Sequence, residues 1–253
     1  MSTLFALIVL LAILMAIIGG EVGIRSFFSI LINILLLVIV AILIATGLNI
    51  IILTLIFIPL KLATIIFVGT GNKKVGWTSF ISSLIIACIV ILIIIAGQYF
   101  AQAAGMNIEA NDVLIGQSQQ PGLSYPLISV TVAIFSALGA IAEAAVAITA
   151  GLLELKNNNS TLSTYTLKQS GFSIGRDIIG TSLNTITYGI FGSLLPLILW
   201  FYPLHYSIGE IINDKLVINN LLIMFYSLIG VILVVPLSIY LVTHPIPIFK
   251  KSK

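Results

Sequence analysis

Glu143 is a carboxylate in the middle of an apolar run, Leu127–Leu153, where a charge costs roughly 2.5–3.5 kcal/mol on insertion scales and faces protein or water rather than lipid. On a helical period, Ser136, Ala140, Glu143, Ala147, Ala150 and Glu154 share one face, while Val130, Ile134, Ile141 and Ile148 lie elsewhere. Small residues let a second helix approach closely, so the spacing predicts that Glu143 sits at a helix–helix seam. Two chemistries fit: a carboxyl that takes up and releases a proton or cation along a transport path, or one that holds two helices in register through a base or hydroxyl. Lys61, within another apolar run, is a candidate ion-pair partner; its alternative is to stretch its ammonium toward the membrane surface.

A second constellation runs Ser170-Gly-Phe-Ser-Ile-Gly-Arg-Asp-Ile-Ile-Gly-Thr-Ser-Leu-Asn-Thr. From Asp177, helical steps reach Thr181, Asn184 and Tyr188, a polar stripe climbing into an apolar segment. Gly171 and Gly175 would permit an irregular helix entry, with freed backbone N–H groups and Asp177 lining a vestibule for an ion or solute. The plainer reading is a capped helix start, with Arg176 marking the headgroup boundary and Asn and Thr bonding across helices. Glu154 marks the cytoplasmic end of the preceding helix.

The elements that carry these groups follow from composition. Of 253 residues, 60% are apolar and 8% charged, and mean hydropathy is +1.24, which no soluble surface allows. The expected fold is all-α, a polytopic membrane helix bundle forming a single domain over residues 1–253, with the lipid bilayer as its surroundings. Seven runs approach the roughly 20 residues a spanning helix needs: 4–18, 27–45, 48–68, 80–97, 127–153, 178–201 and 221–242. Thr46-Gly47 makes a tight turn, Pro59 should kink the third helix, and the runs 127–153 and 178–201 are expected to form the core.

Basic residues set the expected orientation. With the N-terminus outside and the C-terminus inside, the inner side holds Arg25, Lys73, Lys74, Lys156, Lys168, Arg176, Lys250, Lys251 and Lys253, nine of the eleven. The long outer connection, 98–126, carries Glu109 and Asp112, and the second carries His205, Glu210 and Asp214.

Several chemistries are poorly supported. Gly69-Thr-Gly-Asn-Lys-Lys lacks phosphate-loop spacing, and His205 and His244 have no companion ligands at metal-binding spacing. A lone Cys88 excludes a disulfide framework. No catalytic triad or intramembrane carboxylate dyad is evident, so neither an enzyme nor a cofactor is expected. No basic patch interleaved with aromatics points to nucleic acid.

Four stretches resemble the YibE/F family of bacterial membrane proteins, in particular its shorter YibF-type members. They are Phe67-Val-Gly-Thr-Gly-Asn-Lys-Lys; Gly139-Ala-Ile-Ala-Glu-Ala-Ala-Val-Ala-Ile with Leu152-Leu-Glu-Leu; the Ser170–Thr185 motif; and Ile212-Asn-Asp-Lys-Leu with Gly230-Val-Ile-Leu-Val-Val-Pro. The resemblance implies a multi-pass protein of the Gram-positive cell membrane that pairs with a longer YibE-type subunit. This chain departs from the family pattern in having Glu143 for the usual Asp, Leu153 where Asn usually stands, and Asn220 and Ile223 in place of a Glu and a basic residue. The expected function is a permease-like subunit for a small ion or solute, the alternative a non-transporting accessory or scaffold subunit.

Overall fold

A computed structural model describes residues 3–103, 124–159 and 161–244. Every regular element among them is helical: α1 (Thr3–Ala45), α2 (Ile50–Ala63) continuing into a π-helical turn (Thr64–Val68), α3 (Lys73–Ala101), α4 (Tyr125–Asn158), α5 (Thr164–Phe201), the short α6 (Ile208–Asn213) and α7 (Lys215–Thr243). Six of the helices are long and apolar enough to cross a membrane. The predicted outer-loop acids Glu109 and Asp112, and the tail lysines Lys250, Lys251 and Lys253, lie outside the described residues.

The N-terminal region differs from the expected pair of helices joined by a loop at 19–26. α1 is helical on both sides of one non-helical residue, Gly20, at φ 53° and ψ −134°. That backbone state is open to glycine and strained for other residues, so the chain turns at a single point without leaving the helix on either side. Glu21 and Arg25 then bridge at 3.6 Å on the surface of the second limb. The Arg25 guanidinium lies beside Gly71, which sets the bend at Gly20 and the turn before Lys73 at the same end of the molecule.

The Thr46-Gly47 turn is as the sequence predicts. The amides of Gly47 and Leu48 donate to the carbonyls of Ile44 and Leu43, Gly47 has φ 85°, and Asn49 caps α2 by accepting from the Ile51 and Ile52 amides. α2 runs through Pro59 as helix, and the irregularity falls later, in the π turn. Polar side chains tie that turn to α1. Ser29 Oγ donates to the Thr64 carbonyl at 3.1 Å, and Thr64 Oγ1 donates to Asn33 Oδ1 at 3.1 Å.

α3, α4 and α7 make the centre of the bundle. Ile86, Val90 and Ile94 of α3 pack with Ala137, Ile141 and Ala145 of α4 and with Val231 and Val234 of α7, all buried. Gly230 permits a close approach of α7 to α4: a Cβ there would stand 2.6 Å from Ile141 Cγ1. A second apolar cluster joins Ile148 and Leu152 of α4 to Leu167 of α5 and Val235 and Ile239 of α7. The expectation that residues 127–153 and 178–201 form the core therefore holds for α4 only. Beyond Gly175, α5 lies at the periphery, with Leu194 and Phe201 as its buried residues.

α5 also begins earlier than expected, at Thr164, capped by Ser163 Oγ accepting from the Thr166 amide at 3.1 Å. The polar first turns hide this start from a hydropathy reading. α4 and α5 thus run past the apolar zone at the end that holds Arg25, Lys73 and Lys74, and Lys156 and Lys168 gather there too.

Candidate functional site

The α4 helix sorts its residues cleanly. Ile134, Ala137, Leu138, Ile141, Ala144, Ala145 and Ile148 are buried against α3 and α7, as the periodicity predicts for the apolar face. Ser136, Glu143, Ala147 and Glu154 are exposed. The small, polar face therefore points out of the chain, and Glu143 is not at a seam between two of its helices. The buried face is itself rich in alanine, so close packing did not require the Glu143 face.

The stripe on α5 behaves in the same way. Arg176, Asp177, Thr181, Asn184 and Tyr188 are all exposed, Tyr188 to 75%. Thr181 Oγ1 donates to the Asp177 and Ile178 carbonyls at 3.1 and 3.0 Å, and Thr185 Oγ1 donates to the Thr181 carbonyl. Among the described residues, the one ion pair is Glu21–Arg25, so Arg176, Asp177, Glu143 and Glu154 have no charged partner. No vestibule of freed N–H groups forms at Gly171 and Gly175. Both lie inside a continuous helix, buried, where they let α5 close on Ile239 and Val235 of α7.

α4 and α5 run antiparallel through their short connection, and Gly151 faces Ile174 across the contact. Eight residues from that level, about 12 Å along either axis, stand Glu143 on α4 and Ser182 on α5. The exposed acid and the middle of the exposed stripe, Thr181 to Asn184, thus share one depth. Two membrane-length helices thus carry a belt of exposed polar side chains at one depth.

Lys61 does not reach Glu143. It is buried, 6% exposed, with Nζ 4.6 Å from the centroid of the Phe135 ring, eight residues before Glu143 on α4. Nor does it stretch to the surface: its side chain stays in a cleft between α1, α2 and α4. The helical tilt of Cα–Cβ bonds toward the N-terminus carries it away from the nearer end of its helix.

Two polar clusters escaped the sequence reading. At the basic end of the bundle, Ser79, Ser82 and Ser83 of α3, Thr149 of α4 and Ser238 of α7 are fully buried. Ser238 Oγ donates to Ser82 Oγ at 3.0 Å, and Ser79 Oγ donates to the Ala145 carbonyl at 3.1 Å. The Ser83 and Thr149 hydroxyls have no partner among the described residues. At the other end, Asn219 Oδ1 accepts from Gln98 Nε2 at 2.9 Å and from Ser129 Oγ at 3.0 Å, joining α7, α3 and α4. A signal was present: Ser79, Ser82 and Ser83 fall at i, i+3 and i+4, one face of a helix.

The family model described as YibE/F-like protein matches residues 7–246, nearly the whole chain. The chain belongs to the YibE/F-like family. No curated protein and no solved structure matches it. The family match runs from residue 7, within α1, through α7 and takes in both the Glu143 face and the Ser170–Thr185 motif, so the polar belt lies within the family's own sequence.

Proposed function

We propose that this YibE/F-like protein is a YibF-type subunit of a bacterial cell-membrane assembly that moves a small ion or solute, its polar belt closed by a longer YibE-type partner. The observation that carries the reading is the exposure of Glu143, Asp177, Asn184 and Tyr188 on helices long and apolar enough to span a membrane. Polar groups at membrane depth face protein or water, so a face bearing them needs a cover that this chain does not provide. Glu143 takes up and releases a proton or cation, Asp177 and Asn184 line the path toward the basic end, and Arg176 meets an anionic group there. Thr181, its hydroxyl donating to its own helix, offers lone pairs to a cation.

In this reading the chain crosses the membrane seven times, N-terminus outside and C-terminus inside. α1 has 43 residues, about 65 Å of helix against a hydrocarbon core of about 30 Å, so a bend at Gly20 splits it into two crossings. The end that gathers Arg25, Lys73, Lys74, Lys156 and Lys168 is then cytoplasmic.

A second reading, an accessory subunit whose polar belt serves assembly alone, is favoured by the Thr181 and Thr185 hydroxyls being spent on their own backbone. Charge movement on solid-supported membranes separates the two. The reconstituted pair is jumped in pH and in mono- and divalent cations. A transient that disappears in Glu143→Gln while the pair stays intact supports transport. Loss of the pair itself supports assembly, and a Glu143→Gln pair that behaves as wild type ends the coupling role.

A further inference from the structure

Lys61 is the buried basic residue among the described residues, and its nitrogen has neither an ion pair nor a hydrogen bond there. A cation held out of water is costly unless something pairs with it, and the face of Phe135 supplies only part of that. The ammonium lines a cleft of about 560 Å³, within the range that holds a small organic ligand. Leu37, Ala41 and Ile44 of α1 form one wall and Thr131, Phe135 and Ser136 of α4 the other. Among the described residues, Lys61 is the one charged group lining it, and the Ser136 hydroxyl makes no hydrogen bond.

We propose that this cleft binds the carboxylate of a fatty-acid-like amphiphile, with the acid group on Lys61 Nζ and Ser136 Oγ and the alkyl chain along the α1 wall. Charge and shape each narrow the occupant. The single cation selects a monoanion, and the apolar walls select a hydrocarbon tail. Depth selects the head: Lys61 stands seven residues before Val68, about 10 Å in from that end of the helix, and its side chain leans farther inward. A phospholipid headgroup is anchored at the interface by its own hydration, whereas a carboxylic acid enters hydrocarbon in its neutral form. The site meets the Glu143 face only at Ser136, seven residues before Glu143, and stands whether or not the belt conducts.

The test uses the purified full-length protein in neutral detergent, with a fluorescent polyene fatty acid as probe and laurate and dodecanol as competitors. In wild type, laurate should displace the probe at a concentration at least about tenfold below that of dodecanol. Lys61→Gln should erase that preference, Lys61→Arg should keep it, and Ala41→Trp should weaken both competitors by filling the cleft. Equal competition by laurate and dodecanol in wild type overturns the proposal without recourse to any variant, as does a preference that survives in Lys61→Gln. If phosphatidylglycerol nanodiscs displace the probe and laurate does not, the occupant is a phospholipid and the proposal is wrong.

Discussion

Lys61 Nζ stands 4.6 Å from the centre of the Phe135 ring, and Glu143, two turns farther along the helix that carries Phe135, faces the opposite environment, outside the chain. The two groups that a sequence reading would pair are thus kept apart, one buried and one exposed. Lys61 occupies a cleft inside the bundle; Glu143 belongs to the outward belt with the α5 stripe.

The first prediction concerns that buried cation. Because no acid is bound to it among the described residues, Lys61→Met should leave the thermal midpoint unchanged or raise it, as apolar replacement of buried charge commonly does. Phe135→Ala, which removes a half-buried ring from the cleft wall, should lower stability by less than the roughly 3–5 kcal/mol of a fully buried ring. Thermal unfolding in detergent checks both, and a large drop for Lys61→Met would mean that the ammonium holds the helices together.

Glycine packing gives a second prediction. Gly230→Val places a Cβ about 2.6 Å from Ile141 Cγ1 and should cost roughly 1–3 kcal/mol through overpacking. Gly189→Ala, on the exposed side of α5 with nothing within 4 Å, should be neutral or stabilising by up to about 1 kcal/mol. Equal effects of the two would show that α7 does not approach α4 as closely as described.

Asn219 provides a third. Asn219→Leu leaves Gln98 Nε2 and Ser129 Oγ without their acceptor and should destabilise by about 1–3 kcal/mol. The same loss should be much smaller in a Gln98→Leu, Ser129→Ala background. A double-mutant comparison of melting temperatures decides; additive losses would mean the three groups do not share one node.

How far this arrangement can be read from sequence depends on which force decides each feature. Helix existence was legible from the apolar runs, and the Thr46-Gly47 turn and the inward Ile134, Ile141 and Ile148 were legible from local chemistry and period. The direction of the Glu143 face was not. In water, polarity tells inside from outside, but lipid is as apolar as leucine, so an apolar face and a small polar face compete for the interior on packing alone. Ala137, Ala144 and Ala145 made the apolar face small enough to win. The Gly20 bend was hidden because a single glycine conformation replaces a loop, and the start of α5 because Thr164 to Asp177 is helical without being apolar.

A fourth prediction is pH-dependent and lies outside the spanning segments. Ser207 and Glu210 form a reciprocal cap on α6, with Glu210 Oε2 accepting from the Ser207 hydroxyl and amide, each at 2.7 Å. The hydroxyl bond first, then the amide bond, holds the Glu210 carboxyl below its ordinary value of 4.5. A depressed folded-state value means that the cap is intact above the ordinary range and is lost as pH falls below about 4.5 through the lowered value. Amide exchange at Ser207 should therefore quicken in acid beyond its intrinsic pH trend, and Glu210→Gln should abolish that excess. An unchanged excess in the variant would assign it to another group.

The central claim is that the exposed belt around Glu143 and Asn184 is covered by a partner membrane subunit. The direct measurement is nitroxide accessibility at Asn184→Cys in a Cys88→Ser background, with the chain in nanodiscs alone and then joined to the YibE-type partner. The account predicts strong relaxation by lipid-dissolved oxygen for the chain alone and its loss on pairing, with a parallel loss at Ala147→Cys beside Glu143. Oxygen access that persists at both positions in the assembled pair would contradict it, because the belt would then face lipid with nothing to satisfy it.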